Sequence, residues 1–109
     1  MSTTPPVVSL EPLWRELWVS LASLLQSYTA LHGLSSGRQA TVELEEKWIM
    51  AHSGTNWLEL QREGSQVSWQ REDGRSGGLE LTESGRLRGS SGEVEMDMAA
   101  EAWARELMQ

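Results

Sequence analysis

Residues 10–33 read LEPLWRELWVSLASLLQSYTALHG, and the spacing of their apolar side chains decides the fold. Leu10, Trp14, Leu17, Leu21, Leu24, Tyr28 and Leu31 recur at alternating intervals of four and three, a helical period carried through three heptads. Leu13, Trp18 and Leu25 widen the stripe beyond a narrow seam. Ser9 offers an N-cap hydroxyl, Glu11 lies in the first turn, and Pro12 suits a position whose N–H has no partner inside the helix. Gly33 is placed to stop the helix. The pattern predicts an amphipathic helix of about 22 residues, roughly 33 Å long. So wide an apolar stripe suits packing across a sheet. A compatible further reading brings Trp14, Trp18 or Leu25 against a second copy of the chain, and these three are the candidate interface residues.

Downstream the period changes to two. Ala40, Val42 and Leu44 alternate with Thr41, Glu43 and Glu45, the pattern of a half-buried strand. This strand is expected to run on through Lys47, Trp48, Ile49 and Met50, where apolar residues on both parities suggest a bulge or burial on both faces. Ser53, Gly54 and Thr55 form a turn, residues 57–61 a strand, Glu63 to Ser65 a turn, and residues 67–71 another strand. Asp73-Gly74 and Gly77-Gly78 bracket a further turn before Leu79 and Leu81, and Ser84-Gly85 leads to a short strand around Leu87. Close spacing with Gly-containing turns indicates an antiparallel meander of four or five strands. At the end Asp97 is a candidate N-cap, and Met98, Ala102, Trp103 and Leu107 give a short amphipathic helix. The expected fold is α+β: a long N-terminal helix, an antiparallel meander and a short C-terminal helix, with both helices on one sheet face. Residues 9–109 form one domain, and residues 1–8, with Pro5 and Pro6, read as a flexible lead-in.

This order of helix, sheet and helix resembles frataxin-like domains and, more loosely, transcriptional-coactivator-type single-strand binders, as architecture alone. A frataxin-like first helix would be strongly acidic, whereas here only Glu11 and Glu16 stand against Arg15. The second resemblance would require a basic sheet. No motif of either group is present, and neither resemblance assigns a family.

Composition narrows the chemistry. A chain of 109 residues with 39% apolar and 23% charged residues is one ordinary globular domain. It contains no Cys, so disulfides, thiolate metal sites and cysteine nucleophiles are excluded. A net charge of −7 argues against nucleic acid as the main partner. Arg15 and Glu16 interrupt the apolar run of residues 10–25, so no membrane span is expected. Residues 1–9 carry no Lys or Arg, unlike the start of a secretory signal, and a cytoplasmic location is the expectation.

Motifs for catalysis are missing. Residues 33–38, GLSSGR, lack the spacing and the Lys of a phosphate loop, and no nucleophile elbow or paired-histidine zinc motif occurs. No catalytic residue, cofactor or metal is therefore assigned. His32 reads as a helix-end residue favourable to the dipole, and His52 as a solvated residue at a hairpin end. Glu93, Glu95 and Asp97 would share one side of an extended chain but lack the register of a calcium loop. Residues 39–61 carry a net −3 and residues 89–109 a net −4, while Arg62, Arg71, Arg75, Arg86 and Arg88 fall between them. These arginines either line one open face for an acidic partner or pair locally with Glu63, Glu72, Asp73, Glu80 and Glu83.

Tryptophan is the informative residue type. Six Trp and no Phe are an uncommon filling for a small core, and Trp favours recognition surfaces because it brings area and an N–H donor. If Leu58 and Leu60 face the helices, strand alternation puts Trp57 on the opposite face with Glu59, Gln61, Ser68 and Gln70, near Glu43 and Glu45. Trp57, Glu59, Gln61, Ser68 and Gln70 are the candidate binding residues. The leading functional reading is a small accessory or adaptor domain acting through protein contacts, with a partner or as a homodimer. A small-ligand module using the Trp57 face is the second reading, and an enzyme without a recognisable motif is the third.

Overall fold

A computed structural model describes residues 10–109; Ser9 and the lead-in of residues 1–8 lie outside the described residues. The first helix, α1, spans Glu11–Ser36, with Leu10 at its N-cap and Pro12 in its first turn. It does not end at Gly33. Gly37 takes the left-handed conformation at φ 70° and donates its N–H to the Gly33 carbonyl at 2.9 Å, which closes the last turn. Gly33 answers to a different constraint, since a Cβ there would lie 2.5 Å from the Arg38 carbonyl oxygen.

The buried side of α1 consists of Trp18, Leu21, Ala22, Leu25 and Thr29. The heptad seam is thus displaced: Leu17, Leu24 and Tyr28 are half-buried, and Leu31 is 59% exposed. Trp18, Ala22, Leu25 and Thr29 keep the four-three-four spacing one position on, so the buried stripe is turned from the seam by one residue, about 100°. The Thr29 hydroxyl donates to the carbonyls of Leu25 and Gln26, which satisfies it inside the core.

Seven strands follow in chain order: β1 (Thr41–Leu44), β2 (Trp48–Ser53), β3 (Asn56–Glu63), β4 (Gln66–Arg71), β5 (Ser76–Leu81), β6 (Arg86–Gly89) and β7 (Gly92–Glu95). Each pairs antiparallel with the next, so the expected meander is present with seven strands in place of four or five. Two corrections account for the difference. The strand expected to run unbroken from Ala40 to Met50 is a hairpin that turns at residues 45–47, without a bulge. Residues 92–95 add β7, paired with β6 through Leu87 and Val94. Gly77-Gly78 belongs to β5 and forms no turn. A Cβ at Gly77 would meet the Trp69 indole nitrogen at 2.7 Å, so the missing side chain makes room for Trp69 to lie across β5.

The second helix, α2, spans Met96–Leu107 and buries Met96, Ala100, Ala104 and Leu107. Its N-cap is Glu95, and Asp97 sits in the first turn. Met98 is exposed and Trp103 half-buried, so small alanines line the inner stripe and permit close approach. The core joins Trp18, Leu21 and Leu25 of α1 with Ile49, Ala51, Leu58, Leu60, Val67, Leu81 and Leu87 of the sheet and with Ala100 and Leu107 of α2. These sheet residues all have one parity, so both helices cover the same face. Tyr28 reaches Asp97 and His32 reaches Glu101, one turn later on each helix, so α1 and α2 run in the same direction. Among the described residues, no helix is long and apolar enough to cross a membrane.

Gly33 supplies a test of the α1 ending. Ala is favoured over Gly inside a helix by about 1 kcal/mol. Overpacking, however, costs about 1–3 kcal/mol, and the added methyl would press on the Arg38 carbonyl. Gly33→Ala is therefore expected to lower the midpoint of thermal unfolding followed by circular dichroism. A raised midpoint would mean that residues 37–40 move aside at no cost.

Candidate functional site

Alternation along β3 sends Leu58, Leu60 and Arg62 beneath the helices and Trp57, Glu59, Gln61 and Glu63 to the other face. Register carries the same division to both neighbours. Trp57 stands opposite His52, Glu59 stands between Met50 and Gln70, and Gln61 stands between Trp48 and Ser68. Glu43 on β1 continues the Met50 row. No helix covers this outer face among the described residues.

A shallow groove of about 550 Å³ opens there, lined by Glu43, Met50, His52, Gly54, Asn56, Trp57, Glu59 and Gln70. Trp57 and Met50 are half-buried and provide the apolar floor. Of the five binding residues expected from the sequence, Trp57, Glu59 and Gln70 line the groove. Gln61 and Ser68 face each other in the next cross-strand row, and the Gln61 amide donates to Glu59 Oε1 at 3.0 Å. Glu45 leaves the group, because it lies in the β1–β2 turn. Met50, His52 and Trp48 join the face unannounced. Treating residues 40–50 as one strand hid their parity; the charged run Glu45-Glu46-Lys47 was the signal of a turn.

Charge divides the outer face into two halves. Toward β7, Arg86 pairs with Glu95 at 3.1 Å, and Arg88 pairs with Glu80 and Glu93, each at 3.3 Å. Around the groove, neither Glu43 nor Glu59 forms an ion pair among the described residues. The nearby arginines and lysine are engaged elsewhere. Lys47 faces Glu63 at 3.7 Å, while Arg62 and Arg71 point inward and are buried.

The inward arginines correct the reading of a five-arginine face. Arg62 binds Glu11 at 3.0 Å and the carbonyls of Glu46 and Gly64, and its guanidinium lies 5.8 Å from the centre of the Trp18 ring. Arg71 binds Glu106 of α2 at 2.6 Å, and Arg75 binds Asp73 at 2.7 Å. Hydrogen bonds from the Arg75 backbone and side chain hold the Asp73 carboxyl below its ordinary range. Every member of that set therefore has an acid partner: Glu72, Asp73 and Glu80 pair as the sequence suggested, and Glu11, Glu93, Glu95 and Glu106 join them.

The candidate interface on α1 is also redrawn. Trp18 is 1% exposed and donates its indole N–H to the Glu45 carbonyl, and Leu25 is fully buried. Neither is open to a second copy. Trp14 is half-buried beside the β5–β6 turn, near Leu81 and Thr82. The apolar side chains that α1 does expose are Val19, Leu31 and Leu34.

Glu93, Glu95 and Asp97 do not converge: the first two pair with arginines on the outer face, and Asp97 accepts the Tyr28 hydroxyl at 2.6 Å. No group of three His, Asp or Glu side chains that could hold a metal ion occurs among the described residues. His32 lies within α1, its Nε2 3.4 Å from Glu101 Oε1, rather than at the helix end. His52 lies at the β2–β3 hairpin end as expected, but half-buried in the groove rather than solvated. No protein-family model, curated protein or solved structure matches the chain.

Tyr28 reports on the α1–α2 contact. The hydrogen bond to Asp97, followed by burial and by the negative charges of Asp97 and Glu101, raises its pKa above the ordinary 10.0. A raised pKa means that the folded chain holds the proton more tightly. The contribution to stability is therefore complete below about pH 10 and is lost as pH rises through the shifted value. Because Tyr28 is the sole tyrosine, phenolate absorbance reports it alone. Its titration midpoint is expected above 10.0 and is expected to return toward that value in Asp97→Ala. A wild-type midpoint at the ordinary value would remove the contact.

Proposed function

We propose that this chain is a small binding domain without chemistry of its own, and that it holds a partner protein through the uncovered sheet face around Trp57. One observation carries the reading: an indole and a thioether floor an open groove beside two carboxylates that form no ion pair among the described residues. Trp offers a large rigid contact area at small entropic cost, and Met adapts to irregular surfaces. Unneutralised carboxylates at the rim steer a basic partner toward the groove and repel acidic ones. The opposite half of the same face, internally paired by Arg86 and Arg88, lacks that pull.

A second reading places a small polar ligand, such as a sugar, in the same groove. Its volume of about 550 Å³ favours this, being within the range of about 300–1,000 Å³ common for small-molecule sites. The shallow form and the two charged groups favour the protein surface.

Both readings are tested by titrating the protein with a peptide library of mixed charge and with a saccharide panel. The expected result is a set of basic peptides that bind the wild type. These should bind Trp57→Ala about tenfold or more weakly, the loss typical of a central interface residue. Arg88→Ala, on the paired half, should bind them normally, and both variants should keep the wild-type melting temperature. Peptides indifferent to Trp57→Ala would overturn the proposal. Saccharides binding at Trp57 in place of any peptide would transfer the site to the second reading.

A further inference from the structure

Resting on the reading of the Trp57 face as a protein-binding surface, we infer that its groove receives an arginine side chain of the partner, with the guanidinium over the Trp57 indole and its N–H groups on Glu59 and Glu43. The register sets the geometry. Glu43, Met50 and Glu59 lie in one cross-strand row, and neighbouring strands are about 4.8 Å apart. The two carboxylates therefore rise on either side of the Met50 thioether, about 10 Å apart at the backbone. Trp57 is two residues from Glu59 on the same strand and face. A planar cation lying on the indole is thus within reach of both flexible carboxylates.

The chain already uses this combination of groups once. In the core, the Arg62 guanidinium lies 5.8 Å from the Trp18 ring centre and 3.0 Å from a Glu11 carboxylate oxygen. Trp57 and Glu59 present the same two groups on the open face. There the arginines and the lysine of the neighbouring strands are turned away, with Arg62 and Arg71 buried on the opposite side and Lys47 at Glu63, and the imidazole of His52, opposite Trp57, is the basic group that the described residues bring to the groove. Among the described residues no Arg or Lys completes the set, and an arginine of the partner would.

The chemistry selects among cations and against other ligands. A guanidinium stacks flat on an indole and offers paired N–H donors to a carboxylate, whereas an ammonium is a compact, strongly hydrated point charge. Phosphate-bearing partners meet two negative charges. A neutral ligand would strip water from both carboxylates without giving a charge in return.

The test follows the indole N–H signals by nuclear magnetic resonance, with the Trp57 signal assigned by its loss in Trp57→Phe. The probes are a short blocked peptide with a single arginine, its citrulline counterpart, which has the same shape without the charge, and its lysine counterpart. The arginine peptide is expected to shift the Trp57 signal to saturation and to bind more tightly than the lysine peptide; the citrulline peptide is expected to leave the signal in place. Glu59→Gln is expected to weaken arginine binding by about tenfold and Glu43→Gln by several-fold, since charge-assisted hydrogen bonds are lost, while the melting temperature stays unchanged. Added salt should weaken binding further. Equal binding of the citrulline or lysine peptide, a response confined to other indoles, or no response to the arginine peptide would each overturn the inference. The wider reading would survive any of these if library peptides without arginine still bound in a Trp57-dependent way, so the two failures are distinguishable.

Discussion

The pairing of β3 with both its neighbours fixes which side chains the helices cover, and everything else in the molecule follows from that register. Leu58 and Leu60 are fully buried beneath the helix layer, each contributing about 1.5–3 kcal/mol relative to an exposed position. A slip of one residue would exchange them for Trp57, Glu59 and Gln61. Two carboxyl-bearing or amide side chains would then lose water inside the core while leucines faced solvent, so the register has no close competitor. The same constraint leaves the outer rows without a roof. The outer face is thus a by-product of how the core is filled, and it is carried on a strand ladder rather than on a loop.

Two inward arginines complete that arrangement. Arg62 and Arg71 lie at opposite ends of the β3–β4 pair, and each reaches a different helix, through Glu11 of α1 and Glu106 of α2. Burying a charge is costly, and a buried ion pair often contributes little net stability compared with apolar side chains. What these pairs add is position. Multiple bonds from one guanidinium set the placement of a helix end against the sheet, and both Nε atoms remain without a hydrogen-bond partner among the described residues.

Much of this was legible in the sequence, and the exceptions have physical causes. The alternation from Trp57 to Gln61 and the change of period after Gly37 correctly indicate helix, then antiparallel sheet. The β1–β2 hairpin escaped because its turn is made of Glu45, Glu46 and Lys47 rather than glycine, and apolar residues flank it closely. β7 escaped because Gly92, Glu93, Val94 and Glu95 hold a single apolar side chain. Gly77 suggested a turn, although its role is to clear space for an indole. The heptad spacing in α1 was real, but the side that meets the sheet is carried one residue on, by Trp18, Ala22, Leu25 and Thr29. The inward arginines share parity with Leu60 and Val67, and that parity was the available signal; their charge obscured it. The groove was half visible: Trp57, Glu59 and Gln70 followed from alternation, whereas Met50 and His52 required the hairpin.

The order of the strands in the sheet is their order in the chain, which shapes how the molecule comes together. Each hairpin joins residues already close along the backbone, so pairing the strands costs little loop-closure entropy. The costly separations are confined to the helices, where Tyr28 must meet Asp97, 69 positions later. Until the helices dock, the sheet has two uncovered sides. Their docking on one of them, through Trp18, Leu21 and Leu25 of α1 and Ala100 and Leu107 of α2, makes the two sides different and gives the chain an inside and an outside.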